Sequence, residues 1–169
     1  MDTDLLGQLL DRHADALELY ARQWCETPED VVQEAFVKLA SQRVQPDDPV
    51  AWLFRVARNA AINAGTAARR RRRHETAARL TTPAWFLADA SSSAGAIDPE
   101  TAQAELSALP IEQREVIVAR LWGGLTFEQI AAVAGCSTSQ AHRLYQGGLN
   151  SLRERLGVPC PSKSRPIPN

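Results

Sequence analysis

Apolar side chains recur at helical spacing over most of the chain, and polar or proline-containing segments separate the periodic stretches. The periodic stretches are residues 4–24, 28–41, 51–68, 98–109, 110–122 and 125–156. In each of them the apolar positions fall on one face of a helix with a period near 3.6 residues. The pattern therefore predicts an all-α protein.

The stretch 125–156 carries the signals of two helices joined by a tight bend. Thr126 is a capping residue with Gln129 three positions later, and Ser137 repeats this arrangement. Between them stands Gly135, where the left-handed backbone that ends a helix costs glycine nothing. These signals predict a helix-turn-helix, whose second helix lies in the DNA major groove. An ordinary αα-hairpin in a helical core is the structural alternative.

A helix start is signalled at Thr27, where the sequence reads Thr-Pro-Glu-Asp. Threonine is a favourable cap and proline suits the first helical position. Acids in the first turn stabilise the positive end of the helix dipole. The side of this helix that faces away from its apolar stripe carries Asp30, Gln33 and Glu34. Such residues form a solvated face by default.

The stretch 51–68 combines an apolar stripe with a polar ridge. The ridge consists of Arg55, Asn59 and Asn63, which recur every four residues and therefore stack along one exposed line of the helix. Asparagine is a mediocre helix former, whereas amide groups read base edges well. The ridge therefore predicts a nucleic-acid contact, and a merely solvated face is the alternative.

Five consecutive arginines follow the ridge. They are Arg69, Arg70, Arg71, Arg72 and Arg73. Runs of like charge are often disordered tails, but this one continues from a helix whose exposed side is already polar. Neutralisation of DNA phosphates is the better interpretation. Residues 1–44 hold nine acids and four bases, while residues 45–79 hold three acids and eight bases. This asymmetry predicts two faces with different partners.

Two segments lack helical periodicity. Residues 76–97 include the run Ala-Ser-Ser-Ser-Ala-Gly and predict a flexible linker. An apolar cluster, Trp-Phe-Leu at positions 85–87, interrupts this linker and could dock on a domain or on a partner. Beyond Gly157 the sequence has four prolines and little to bury, so a disordered tail is expected over 158–169.

Neither a metal site nor a cofactor is expected. The three cysteines form no CxxC pair, and the three histidines have no ligand spacing. The sequence contains no nucleophile–base pair and no phosphate loop, so an enzyme is the weakest option. Its N-terminus has acids where a signal peptide would have bases, and no apolar run approaches the length of a membrane span. We therefore expect a cytoplasmic protein that does not contact a membrane.

Three stretches of the chain resemble the bacterial RNA polymerase sigma factors of the extracytoplasmic-function (ECF) type. They read TPEDVVQEAFVKLA, DPVAWLFRVARNAAINAGTAARRRRR and ALPIEQREVIVARLWGGLTFEQIAAVAGCSTSQ, in this order. Each stretch is moderately specific, and the three in this order are highly specific. The resemblance implies two small helical domains joined by the linker. Residues 1–75 would form the sigma-2 domain, and residues 98–157 would form the sigma-4 domain.

The resemblance gives the sigma-2 domain two surfaces. Asp30, Gln33 and Glu34 would dock on the clamp helices of the polymerase β′ subunit. The ridge and the loop 42–50 would capture unstacked bases of the promoter −10 element, because a base must leave the duplex to be read on its pairing edge. Two aromatic residues, Trp52 and Phe54, could help to hold that base, although Trp52 could equally be a core residue. The arginine run would follow the phosphates of the adjacent duplex.

The resemblance also places the second helix of the sigma-4 domain in the major groove at the −35 element, with a further contact to the polymerase β flap. The candidate DNA contacts are Ser137, Thr138, Ser139, His142, Arg143 and Gln146. The family commonly has arginines in this helix where the present chain has Leu144 and Gly147. Residues 98–157 hold seven acids and five bases. We therefore expect weak DNA binding by the isolated domain.

The expected function is that of a promoter-specificity subunit, which binds core RNA polymerase, recognises promoter DNA and assists promoter melting. Many relatives are held inactive by an anti-sigma protein, so such a protein is a candidate partner. One alternative is a stand-alone helix-turn-helix regulator that acts without polymerase. Another is an interaction protein that has kept the sigma shape but lost promoter reading, as Gly147 and Gly148 in the recognition helix suggest.

Overall fold

The computed structural model describes residues 3–74 and 99–157, and these two ranges contain seven α-helices and no strand. The helices are α1 (Thr3–Ala21), α2 (Pro28–Ala40), α3 (Pro49–His74), α4 (Pro99–Ser107), α5 (Ile111–Leu121), α6 (Phe127–Ala134) and α7 (Thr138–Arg155). The all-α prediction is confirmed. The predicted linker, its apolar cluster and the predicted tail lie outside the described residues.

The first three helices pack around an apolar core, with α1 and α2 both lying against α3. Leu17, Leu39 and Leu53 are almost completely buried there. Each side chain of this size stabilises the fold by about 1.5–3 kcal/mol when it leaves water. Helix α3 is longer than predicted, because it begins at Pro49 and continues without a break through all five arginines to His74.

The starts of α2 and α3 differ from the sequence prediction. Thr27 occupies the cap position of α2 but its side chain makes no capping hydrogen bond, so proline at the first position and the acids of the first turn are the start signals that act. At α3, the Asp48 carboxylate accepts a hydrogen bond from the Ala51 backbone N–H at 2.9 Å. Asp48 therefore caps this helix, which explains why α3 begins before residue 51.

The helix-turn-helix prediction is matched in local detail by α6 and α7. The Thr126 hydroxyl accepts from the Gln129 N–H at 3.2 Å, and the Gln129 side chain accepts from the Thr126 N–H at 2.7 Å, which completes a capping box. Gly135 ends α6 with a φ of 71°. Ser137 caps α7 by accepting from the Gln140 N–H at 3.2 Å. The second capping box is incomplete, because only this half of it is formed.

The glycine pair in α7 has a packing role at one of its two positions. Gly148 is buried against α5, and a Cβ atom there would lie 2.6 Å from the Ile117 Cδ1 atom. A Cβ on Gly147 would meet nothing closer than the Gln113 side chain at 3.5 Å. Gly148 therefore lets α5 and α7 pack closely, so the loss of promoter reading is not needed to explain it.

The two helical groups also pack against each other, which the sequence did not predict. Helix α5 contacts α1, and α6 contacts α3. Gly123 lies where these groups meet, and a Cβ there would come within 2.7 Å of the Phe54 ring and 2.6 Å of the Ala119 carbonyl oxygen. The absence of a side chain at Gly123 thus allows the turn after α5 to approach α3.

Candidate nucleic-acid and polymerase interfaces

The ridge of Arg55, Asn59 and Asn63 is exposed along its whole length. Residues Leu53 and Ala57, which are fully buried, hold the opposite side of α3 in the core. With a rise of 1.5 Å per residue, the ridge places one guanidinium and two amides along about 12 Å of helix. This arrangement presents hydrogen-bond donors and acceptors to an external ligand on a rigid support.

The two aromatic residues considered for base capture differ in their environments. Trp52 is half-buried and packs against the core, yet it also lines a cleft of about 520 Å³ together with Asp47 and Arg55. Phe54 is completely buried, with its ring 5.1 Å from the Tyr20 ring in an edge-to-face arrangement. The suggestion that Phe54 holds a base is therefore wrong for this conformation, because the ring packs inside the protein.

The arginine run continues the same helix as the ridge, and all five of its side chains are exposed. One member differs from the others, since Arg72 forms an ion pair with Glu26 in the α1–α2 connection. Both side chains of this pair are more than half exposed, so solvent screens the interaction. Part of the positive charge at Arg72 is nevertheless already balanced within the protein.

The six candidate contacts of the recognition helix are all exposed at the N-terminal half of α7. Ala141 is completely buried beneath them, and Leu144 is half-buried against the core. Leu144 therefore belongs to the packing of the helix-turn-helix. The His142 ring lies 5.0 Å from the Phe127 ring, edge to face, which connects the recognition helix to α6.

The residues considered for polymerase binding, Asp30, Gln33 and Glu34, are exposed on one side of α2. Glu34 forms an ion pair with Lys38 at 2.7 Å, four residues along the helix. Next to this pair Val37 is 59% exposed, although it lies in a well-packed helix. The surface thus combines acids with one apolar side chain, and sequence reasoning overlooked Val37 because its neighbours Phe36 and Leu39 carry the core stripe.

A buried polar cluster that the sequence analysis missed joins the two helical groups. The Tyr20 hydroxyl donates to Glu115 Oε1 at 2.6 Å, and Arg58 Nε donates to the same oxygen at 2.6 Å. Arg58 Nη2 lies 3.4 Å from Glu115 Oε2, and its guanidinium stacks 5.8 Å from the Trp24 ring centroid. The only sequence signal was one acid on the apolar side of α5, four residues after Ile111 and three before Val118.

Burial governs the ionisation of this cluster. Tyr20 has a pKa well above its ordinary value, because burial and then the charge and hydrogen bond of Glu115 disfavour the phenolate. Burial also opposes the charge of Arg58, but the hydrogen bond and charge of Glu115 outweigh it and raise the pKa of the guanidinium. The cluster therefore holds a neutral tyrosine and an arginine cation.

A second polar contact between the helical groups lies at the start of α3. Gln129 Nε2 donates to Asp48 Oδ2 at 2.7 Å. Each partner also has a local role, because Asp48 caps α3 and Gln129 completes the capping box of α6. The contact connects the loop 42–50 to the first helix of the helix-turn-helix.

The described residues contain neither a cluster of metal-ligand side chains nor a helix suited to cross a membrane. Among residues 3–74 and 99–157, no group of three or more histidine, cysteine, aspartate or glutamate side chains could hold a metal ion. Within the same ranges, none of the helices has the length and apolar character needed to cross a membrane.

Comparisons with known proteins agree with the two-part architecture. The family model described as Sigma-70 region 2 matches residues 9–74, and the model described as Sigma-70, region 4 matches residues 106–154. Together they cover more than half of the chain. The comparison with curated proteins gave no match.

Two of the solved structures that are similar to this chain align with 94% of it. The sigma factor RpoE of Bartonella quintana, solved in complex with the anti-sigma factor NepR, has a TM-score of 0.69 and 24% identity. That alignment covers 94% of the present chain and 100% of the other. CnrH, solved in complex with the cytosolic domain of CnrY, has a TM-score of 0.60 and 26% identity, with coverages of 94% and 92%. The chain therefore belongs to the sigma-70 family and is a sigma factor of the ECF type.

Proposed function

We propose that residues 1–75 recognise the promoter −10 element and hold one melted strand on the ridge of α3. The observation that carries this proposal is the continuity of α3, which presents the exposed ridge and then five exposed arginines on one helix. Amide groups suit contacts with the pairing edges of unstacked bases, whereas arginines suit phosphates. One helix can thus hold an opened strand and follow the duplex next to it.

The second part of the chain, residues 98–157, reads the −35 element through α7 in this proposal. Its six exposed candidates lie at the N-terminal half of the recognition helix, the part that meets base edges in helix-turn-helix complexes. Because acids outnumber bases by seven to five in this segment, its contribution from phosphate contacts is small. Specific contacts and the tether to the first part must then supply most of its DNA affinity.

We assign polymerase binding to the exposed side of α2, which would meet the β′ clamp helices. We assign a further contact, with the β flap, to the second part of the chain. The chemistry of transcription belongs to the polymerase, and this subunit contributes recognition without catalysis. An anti-sigma protein is a further proposed partner, since one of the similar structures is a sigma factor in complex with an anti-sigma factor.

A pull-down with core RNA polymerase tests the proposed function against the stand-alone regulator. We expect Asp30→Ala combined with Gln33→Ala to reduce polymerase binding roughly tenfold, as the loss of an interface anchor would. Asp11→Ala, which removes an exposed acid from α1, is the control and should bind like the parent protein. If the α2 variant binds polymerase as well as the parent protein does, the exposed side of α2 is not a polymerase contact. That result would favour the stand-alone regulator.

A further inference from the structure

We propose that a cavity between the α1–α2 connection and the C-terminal half of α3 binds inorganic phosphate. The cavity has a volume of about 190 Å³. Its walls come from the end of α1, from the connection and from one side of α3. The lining residues on which the proposal depends are Arg22, Gln23, Glu26, Gly65, Arg69 and Arg72.

Two small residues of α3 shape this cavity. Gly65 lies so close to the connection that a Cβ atom there would overlap the Trp24 carbonyl oxygen. Ala68, three residues later, lines the cavity with only a methyl group. Sites for drug-sized ligands measure roughly 300–1,000 Å³. Because this cavity is smaller, it fits a small ion better than a nucleotide or a coenzyme.

Positive charge surrounds the cavity. Arg22, Arg69 and Arg72 line it, and Glu26 is the only acid among its described lining residues. Glu26 pairs with Arg72, and Arg22 pairs with Glu29 at 3.5 Å. Both acids are more than half exposed, so solvent weakens these two pairs. Guanidinium groups match phosphate oxygens with paired hydrogen bonds, so a phosphate ion can compete with the acids for them.

The amide of Gln23 indicates which anion the cavity prefers. Gln23 is only 8% exposed, and neither its side-chain oxygen nor its nitrogen has a hydrogen-bond partner among the residues that the structure describes. A buried amide without partners is unfavourable, so a ligand that bonds to it is stabilised. The amide can donate through Nε2 and accept through Oε1. Inorganic phosphate keeps a P–OH group at neutral pH and can bond to both atoms, whereas sulfate and the phosphodiesters of DNA can only accept.

A phosphate ion in the cavity would engage two members of the arginine run, Arg69 and Arg72. The other three members do not line the cavity. The ion would therefore compete with promoter DNA for part of the run and leave the ridge of α3 accessible. This consequence rests on the function proposed above, whereas phosphate binding itself does not.

Titration of the full-length protein with inorganic phosphate, and separately with sulfate, tests the site at neutral pH and constant ionic strength. Nuclear magnetic resonance follows the side-chain amide signals of Gln23, which are identified by their absence in Gln23→Met. We expect these signals to shift with phosphate until the site is saturated. Phosphate should bind roughly tenfold or more tightly than sulfate, because sulfate leaves the amide oxygen without a donor.

Three variants examine the walls of the cavity by isothermal titration calorimetry. Gln23→Met keeps a side chain of similar size and should lose the preference for phosphate over sulfate. Arg22→Gln removes a guanidinium, Ala68→Leu fills the space, and each should weaken phosphate binding roughly tenfold. The matched control is Arg70→Gln, which removes the same charge from a residue that does not line the cavity, and it should bind phosphate like the parent protein. Helical circular-dichroism spectra should be unchanged in all of them.

Three results would overturn the proposal. Equal affinities for phosphate and sulfate would reduce the effect to general attraction by positive charge. Equal losses in Arg22→Gln and Arg70→Gln would place the ion on the exposed arginine run. Gln23 signals that do not move with phosphate would show that the buried amide has no contact with the ion.

Promoter binding provides the functional arm of the test. At a phosphate concentration about nine times its dissociation constant, the affinity of the polymerase holoenzyme for promoter DNA should fall roughly tenfold by mass action, relative to sulfate at equal ionic strength. Gln23→Met should show no such difference between the two anions. Phosphate that binds in the cavity and leaves promoter affinity unchanged would support the site and count against the DNA contacts of Arg69 and Arg72.

Discussion

Tyr20 shows how one side chain can report on the packing of the whole protein. Its hydroxyl is buried between Glu115 and Arg58, and its pKa is raised well above the ordinary value by burial and by Glu115. An unfolded tyrosine has a pKa of about 10, so the raised folded-state pKa leaves the free energy of unfolding unchanged below about pH 10. Above that pH the free energy of unfolding falls, because only the unfolded protein ionises. The protein should therefore lose stability in alkaline solution.

Spectrophotometric titration at 295 nm tests this pH dependence. The chain has two tyrosines, so Tyr145→Phe leaves Tyr20 as the single phenol. We expect the folded variant to show no phenolate absorbance near pH 10 and to ionise only as it unfolds at higher pH. The same variant in denaturant should titrate near the ordinary value of about 10. Ordinary titration in the folded protein would contradict the buried hydrogen bond.

The two adjacent glycines of α7 should respond in opposite ways to alanine. Gly147→Ala should stabilise the protein by about 0.5–1 kcal/mol, because alanine favours the helix and its Cβ meets only an ordinary contact. Gly148→Ala should destabilise it by about 1–3 kcal/mol, because the Cβ would overlap the buried Ile117 side chain. Urea denaturation measures both changes, and equal effects would refute the packing role of Gly148.

Residue-level prediction from the sequence succeeded where the signal was local. Thr126, Gln129 and Gly135 have the capping roles that their spacing indicated, because those contacts form within one turn of helix. Glu115 could not be assigned, since its partners lie 57 and 95 residues away. Phe54 was misjudged for the same reason, as the turn that covers it belongs to the second half of the chain.

At the level of the element, α3 carries the largest part of the proposed DNA contact. The apolar stripe predicted a helix at 51–68, but the structure extends it by six residues through the arginine run to His74. Arginine is a good helix former, whereas repulsion between five like charges opposes the helix. Charge patterning alone therefore could not decide between a disordered tail and a helical continuation.

Salt dependence tests the arginine run. Replacing Arg70, Arg71 and Arg73 with glutamine should weaken binding to promoter duplexes of any sequence, because phosphate contacts do not depend on the base. Each lost contact should reduce the slope of log K against log salt by about 0.9. The single variant Arg72→Gln is the matched change within the run. It should reduce the slope by less than one of the other arginines does, since Glu26 already balances part of the charge of Arg72. An unchanged slope in the triple variant would refute the phosphate role.

For the whole molecule, the sequence supported two helical parts and a family, but not their relative arrangement. Between the parts, the Tyr20 hydroxyl bonds to Glu115 and the Phe54 ring lies beside Gly123, and both aromatic residues look like ordinary core residues of the first part. Leu53, Phe54 and Ala57 would appear apolar whether they packed inside one domain or between two. The exposed side of α2 was simpler to predict, because its polar spacing follows from a single helix.

The central claim is that the ridge of α3 holds an opened promoter strand, and permanganate probing of thymines near a transcription start site tests it most directly. With core polymerase and the parent protein, these thymines should become reactive. Asn59→Ala should lower this reactivity at least tenfold, while initial closed-complex binding changes little. The control Asn150→Ala removes an exposed amide from a different helix, α7, and should have no effect. Unreactive thymines with the parent protein, or equal losses of melting and initial binding in Asn59→Ala, would contradict the claim.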